Sequence, residues 1–166
     1  MDPQTFRHVL GHLPTGVVVI TSSGEDGSVA GLACNSLTSV SLDPPLVLFC
    51  PARTSETWPL IRDAGAFCVN VMSEPLADVT LSFARKGIDR FAGIDQHERS
   101  GGPGLDAALA WLDCRIRDVH EAGDHFIVVA EVVTIDVSAS ESVNPLVFYR
   151  GCYGTFAGRE TERKAS

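Results

Sequence analysis

Residues 32–61 read LACNSLTSVSLDPPLVLFCPARTSETWPLI. Asn35, Ser36, Thr38, Ser39 and Ser41 crowd a stretch otherwise patterned as β-strand, and a strand needs few hydroxyls and amides for its own sake. Asp43-Pro44-Pro45 interrupts the pattern, Leu46 to Cys50 resumes it as an apolar strand, and Arg53-Thr54-Ser55-Glu56-Thr57 forms a polar loop. Ser55 reads as the N-cap of a short helix reaching Arg62, with Pro59 tolerated near its first turn. Short strands that succeed one another without long intervening helices predict a β-rich domain.

The same reading extends in both directions. Asp2-Pro3 opens a helix, with Asp as cap and Pro at the first helical position. Phe6, Val9, Leu10 and Leu13 share one face of it, and Pro14 should end it. Gly16 to Thr21 is a β-branched strand apolar enough to be buried on both sides. Gly24 to Gly27 is a hairpin turn. Residues 28–34, 37–42, 45–50 and 67–72 are further strands, and Leu76, Val79, Thr80 and Phe83 give helical spacing over 75–86. Residues 87–104 are rich in glycine and read as loop. Residues 108–120 and 125–137 are two long strands flanking Glu121-Ala122-Gly123-Asp124, and 146–149 and 152–156 complete the order. This pattern predicts a mainly β fold, an antiparallel split β-barrel of Greek-key type with a few short helices. Residues 1–157 form one domain, and 158–166 a polar flexible tail.

The chain has 166 residues and a formal net charge of −8. That charge argues against nucleic acid, whose phosphates are bound by clustered Lys and Arg, and against an anionic membrane surface. No apolar run reaches the roughly 20 residues of a membrane-spanning helix. The N-terminus shows no signal-peptide pattern, so a cytoplasmic location is expected. Cys34, Cys50, Cys68, Cys114 and Cys152 are widely spaced in apolar surroundings and read as buried reduced thiols.

The hydroxyl-rich strand and the Arg53–Thr57 loop together suit a flat, polar-edged, phosphorylated ligand, a shape that flavin mononucleotide has. Asn35 and Ser36 would satisfy its polar edge. Arg53, Ser55 and Thr57 would meet its phosphate at the start of a helix; the alternative for Ser55 is simple helix capping, which needs no ligand. Phe83-Ala84-Arg85 and Arg90 offer a second contact to the phosphate or to an adenosine half, or simple complementation of the helix dipole. His125, after a Gly-Asp turn, is a rim residue or a contact at the mouth of the pocket, which Tyr149 and Tyr153 could help close. His8 and His12 stand four apart on the first helix, but no HExxH accompanies them and no metal site is assigned. No GxGxxG, GxxxxGK[ST] or GxSxG motif occurs.

These blocks together resemble the flavin reductase family, the reductase components of two-component flavin-dependent monooxygenases. The matching stretches are Phe6-Arg7, PTGVVVIT at 14–21, NSLTSVSLDPPL at 35–46, Ser55-Glu56-Thr57, FCVNV at 67–71, Phe83-Ala84-Arg85, Asp89-Arg90-Phe91, Gly123-Asp124-His125 and PLVFYRGCY at 145–153. The resemblance implies a homodimer that reduces FMN or FAD with NADH or NADPH and supplies a partner monooxygenase. It implies that Leu32, Ala33, Cys34, Asn35, Ser36, Ser39, Val40, Ser41, Ser55 and Thr57 line the flavin. It also implies that Phe83, Ala84 and Arg85 lie near its phosphate or tail, and that His125 and the Tyr149–Tyr153 segment face the nicotinamide. Cys34 and Leu37 depart from the Ala or Thr, and the Phe, common in relatives. A non-catalytic flavin-binding or redox-sensing module is the alternative. An oxidase on the same barrel would need a second basic pocket that the sequence does not show.

Overall fold

A computed structural model describes residues 1–139 and 143–156; the expected polar tail lies outside the described residues. In chain order the elements are α1 (Pro3–Leu10), β1 (Thr15–Gly16), β2 (Val18–Ser23), β3 (Val29–Cys34), β4 (Thr38–Leu42), β5 (Pro45–Phe49), α2 (Trp58–Ala64) and β6 (Ala66–Val71). A 3₁₀ turn (Glu74–Leu76) leads into α3 (Ala77–Ala84), followed by β7 (Gln96–His97), β8 (Gly104–Leu105), β9 (Ala110–Ala122), β10 (His125–Val137), β11 (Leu146–Tyr149) and β12 (Cys152–Thr155).

Local chemistry explains most boundaries. The Asp2 carboxylate accepts the Thr5 amide at 2.7 Å, the expected cap. Helix α1 ends at Gly11, before Pro14 can act, and none of its residues is buried. The expected strand over 16–21 is divided at Val17 into β1 and β2, which belong to different sheets. Helix α2 begins later than Ser55 predicts. Ser55 still accepts the Trp58 amide at 3.1 Å, but Pro59 fixes the first turn around itself. Two short paired strands, β7 and β8, stand in and beside the segment read as loop.

Strand pairing is antiparallel throughout. The main sheet runs β3-β2-β6-β9-β10-β5-β4, and β1-β11-β12 form a smaller sheet. The two edges of the main sheet, β3 and β4, are consecutive strands joined by residues 35–37 alone. In a flat sheet six inter-strand steps would separate those edges by roughly 29 Å. The chain from Cys34 to Thr38 can span at most roughly 14 Å. The sheet is therefore curled until its edges approach, and the segment 35–37 marks the seam. This is the mainly β, antiparallel architecture that the sequence predicts.

The curl encloses one core. Val18, Ile20, Phe49, Trp58, Ile61, Phe67, Val69 and Val128 pack inside it. Phe49 meets Phe67 and Trp58 edge-on, with ring centroids 5.3 and 5.9 Å apart. On the other face Val17, Val19, Met72, Phe83 and Leu146 form a second cluster. Strand β2 is thus buried on both sides, as its β-branched run predicts. Asn70 is fully buried in the middle of β6 and fully satisfied. Its amide donates to the Val19 carbonyl and the Thr21 hydroxyl, and its oxygen accepts the Leu105 amide at 2.7 Å.

Gly31 in β3 lets α3 approach. A Cβ there would meet the Phe83 ring at 2.5 Å. The five cysteines are free thiols, but only Cys68 and Cys114 are buried; Cys34 and Cys50 are partly exposed and Cys152 is exposed. The expectation of buried thiols holds only in part for Cys34 and Cys50 and fails for Cys152, which begins β12, the mostly exposed edge strand of the small sheet.

Candidate functional site

A cavity of about 370 Å³ opens at the seam. One wall is the end of β3 and its continuation, Leu32, Ala33, Cys34, Asn35 and Ser36. A second is Cys50, Pro51 and Ala52, just past β5. A third is Ser55, Glu56 and Thr57, leading into α2. Phe83, Ala84, Lys86 and Arg90 close the far side, and His125 stands at the rim. The volume falls within the usual range of small-molecule sites.

Hydrogen bonds fix these walls. Ser36 Oγ accepts the Cys50 amide at 2.9 Å and lies 3.0 Å from Cys34 Sγ. Arg90 reaches across from the segment after α3. Its Nη1 donates to Thr57 Oγ1 at 2.6 Å and to the Gly31 carbonyl at 2.7 Å, and its Nε donates to the Arg85 carbonyl at 2.9 Å. Lys86 Nζ pairs with Glu56 at 2.6 Å in an exposed position. The Lys86 hydrogen bond, then its charge, holds the Glu56 carboxyl below its ordinary range.

His125 is placed by backbone pairing. The Phe126 amide donates to the Pro51 carbonyl and the Arg53 amide to the Asp124 carbonyl, each at 2.9 Å, so the loop after β5 pairs with the start of β10. The turn between β9 and β10 is Gly123-Asp124, with Gly123 at φ 64. His125 Nδ1 lies 2.8 Å from Asp124, and this hydrogen bond, then the charge interaction, lowers the Asp124 carboxyl.

Eleven of the residues singled out from the sequence line this one cavity: Leu32, Ala33, Cys34, Asn35, Ser36, Ser55, Thr57, Phe83, Ala84, Arg90 and His125. Tyr153 lines an adjoining cavity of about 200 Å³ that shares Ala33, Cys34, Asn35 and Ala84 with the first. Ser39, Val40 and Ser41 lie outside both linings, on the edge strand β4, where a register shift between Ser39 and Ser41 bulges the strand. Arg53 points to Glu121 at 3.2 Å and covers the Phe126 ring. Arg85 contributes its carbonyl to Arg90, and its side chain is exposed. Tyr149 is exposed and contacts the His12 ring edge-on. Glu56, inside the Ser55–Thr57 stretch of the resemblance, lines the cavity too, whereas Cys50, Pro51, Ala52 and Lys86 do so without any signal singled out in the sequence. Lys86, one residue beyond the selected Phe83-Ala84-Arg85, was the most accessible of these.

Leu32, Ala33, Pro51 and Phe83 supply flat apolar surface. Ser55 and Thr57 supply hydroxyls, and Lys86 and Arg90 positive charge, at one end. Burial, then the neighbouring Cys34, raises the Cys50 thiol, opposed by the Ser36 hydrogen bond. A thiol so held is a poor nucleophile. Among the described residues no group of three or more His, Cys, Asp or Glu is arranged to hold a metal. The donor set fits an aromatic ring system carrying a phosphate, and a flavin is such a molecule.

A curled antiparallel domain with a ring-and-phosphate cavity at its seam is of the cofactor-binding β-barrel class. Residues 10–157 match the flavin reductase like domain, and the chain belongs to that family. A flavin reductase of Pseudomonas putida is 48% identical over 158 residues, covering 95% of this chain and 92% of that protein. The solved nitrilotriacetate monooxygenase component B homologue of Mycobacterium thermoresistibile superposes with TM-score 0.89 at 40% identity, over 99% of this chain and 96% of that one. The NADH:FAD oxidoreductase SgcE6 of Streptomyces globisporus C-1027, solved with NAD and FAD fragments, gives 0.87 at 33% identity, over 97% and 98%.

Proposed function

We propose that this chain transfers a hydride from NADH or NADPH to FMN or FAD and supplies the reduced flavin to a partner flavin-dependent monooxygenase. The observation that carries the reading is the single cavity that joins a flat apolar surface, a hydroxyl-and-cation end and the rim histidine. The bound flavin supplies the hydride-accepting chemistry, while the protein supplies position and electrostatics. Ser55 accepts the Trp58 amide, which leaves its own proton to donate to a phosphate. Thr57 is held by Arg90 in the same way. Leu32, Ala33 and Phe83 exclude water from one face of the ring. Asn35 and Ser36 hydrogen-bond its polar edge. His125, oriented by Asp124, contacts the nicotinamide, with Tyr153 on the adjoining side.

The catalytic unit is residues 1–157. It acts as a homodimer in the cytoplasm, with neither nucleic acid nor membrane as partner. The exposed apolar residues Phe6, Val9 and Leu10 of α1, with Leu13 just beyond its end, support the dimer, because such a surface favours a protein partner. No helix among the described residues is long and apolar enough to cross a membrane.

The test is anaerobic reduction of each flavin by each nicotinamide, followed by absorbance. Bleaching of the flavin band on addition of NADH or NADPH is the expected result. Binding of flavin with no response to either nicotinamide would instead assign a flavin-holding module.

A further inference from the structure

A cavity of about 360 Å³ lies between the β2–β3 hairpin and α2, and it shares no lining residue with the seam cavity. Glu25 and Asp26 enter it from the hairpin turn and Asp63 from the last turn of α2. All three are exposed, and no Lys, Arg or His stands in the lining. Ser22 of β2 lines the same cavity. It is 1% exposed, and its Oγ has no hydrogen-bond partner among the described residues. Buried hydroxyls are nearly always paired, so an unpaired one is a cost that the fold alone does not offset. A donor seated in the cavity would satisfy it. We propose that this cavity binds an aliphatic diammonium ion, with one ammonium on Ser22 Oγ and the hairpin carboxylates and the other on Asp63.

The lining selects both the charge and the shape of this ligand. Three carboxylates without a cation among them favour a positive occupant, and an ammonium donates three hydrogen bonds where a neutral amine donates fewer. The carboxylates are not grouped to hold a metal ion, so a single point charge is a poor match. They stand on two separate elements instead, and the lining also includes Ala30, Leu60 and Ala64. Leu60 is 56% exposed, apolar surface that a methylene chain between two ammonium groups would cover. Free acceptors remain on both sides. Asp26 takes the Ser28 amide on Oδ1 at 2.9 Å, and its Oδ2 has no hydrogen bond among the described residues. Asp63 Oδ1 pairs with Arg62 at 2.8 Å, but that pair is exposed and therefore weak, and Oδ2 stays open. The inference does not depend on the flavin reading.

The experiment is thermal denaturation of the full chain titrated with putrescine, beside n-butylamine, magnesium chloride and sodium chloride at matched ionic strength. A ligand that binds only the folded state raises Tm with its concentration. Putrescine is expected to raise Tm well beyond the three controls. Ser22→Ala removes a hydroxyl that bonds nothing in the chain itself, so the variant's own Tm should hold or rise. Its apparent affinity for putrescine should fall about tenfold, the scale of a hydrogen bond to a charged group. Asp63→Asn, at an exposed position that carries no risk to folding, should weaken putrescine about fivefold. A response to putrescine no larger than that to sodium chloride means screening of surface charge alone and overturns the inference. An equal response to n-butylamine overturns it too, because one ammonium would then suffice. So does a larger response to magnesium, which would give the carboxylates to a metal. Undiminished putrescine binding in Asp63→Asn, or in a folded Ser22→Ala, also overturns it.

Discussion

The Ser36 hydroxyl accepts the Cys50 amide at 2.9 Å, tying the connection after β3 to the chain leaving β5. The main-sheet edges meet here, and the cavity opens between these two segments. Ser36→Ala leaves the Cys50 amide unpaired in a partly buried wall. The expected cost is about 1–2 kcal/mol in urea denaturation, since an orphaned donor loses more than the bond's net worth. Flavin binding weakens in parallel. An unchanged denaturation midpoint would show that the bond does not hold the seam.

His125 takes its position from the backbone pairing of residues 51–53 with 124–126, and its orientation from Asp124 at 2.8 Å. Its side chain lines the cavity only at the rim. His125→Ala is expected to slow NADH-driven flavin reduction by up to about 100-fold, the scale of a positioning loss, while flavin affinity holds. Stopped-flow reduction beside a flavin titration separates the two. Equal loss in both would remove His125 from the nicotinamide side.

Gly31 joins sheet and helix without intervening side-chain atoms. A Cβ at this position would stand 2.5 and 2.8 Å from two atoms of the Phe83 ring and 3.1 Å from Phe91. Phe83 is buried and lines the cavity, so it cannot simply swing into solvent. Gly31→Ala should therefore cost about 1–3 kcal/mol by overpacking. Thermal denaturation measures this, and the flavin should be held less tightly. A variant as stable as the parent would mean that α3 can shift freely on β3.

How far the sequence showed these features depends on whether the deciding contact is local. The Asp2 cap, the doubly buried β2 and the Gly123-Asp124 turn were legible because each is set by residues within a few positions. The start of α2 was not, because Pro59 at its first turn competes with Ser55 for the boundary. Arg53 reads as a phosphate ligand from its neighbours. In the fold, the pairing of 51–53 with the β9–β10 turn carries it to Glu121 and Phe126. Arg90, 33 positions from Thr57, supplies charge at the cavity instead. Cys50 and the Lys86–Glu56 pair reach the cavity only through the curl of the sheet, and no periodicity encodes that.

The five thiols divide by environment, and the division is testable. Burial, followed by neighbouring charge, pushes Cys68 and Cys114 up to about 12. Both keep their protons in the folded chain at pH 8, whereas Cys152 is exposed. A thiol-directed reagent should modify Cys152 first. Cys34 and Cys50 should follow more slowly and be shielded by bound flavin, because both line its cavity. Cys68 and Cys114 should react only at the rate of unfolding. The sign of the pH effect follows from the same two groups. Above about pH 9 the unfolded chain releases protons that the folded chain retains, so the unfolded state binds fewer and stability falls as pH rises toward 12. Below that range both states are protonated and these thiols contribute no slope. Urea midpoints measured from pH 7 to 10.5 should decline above pH 9, and the decline should be shallower in Cys68→Ala, once its lower starting stability is subtracted. Identical alkaline slopes in the parent and the variant would mean that Cys68 ionises as readily folded as unfolded, which its full burial beside Asp113 does not allow.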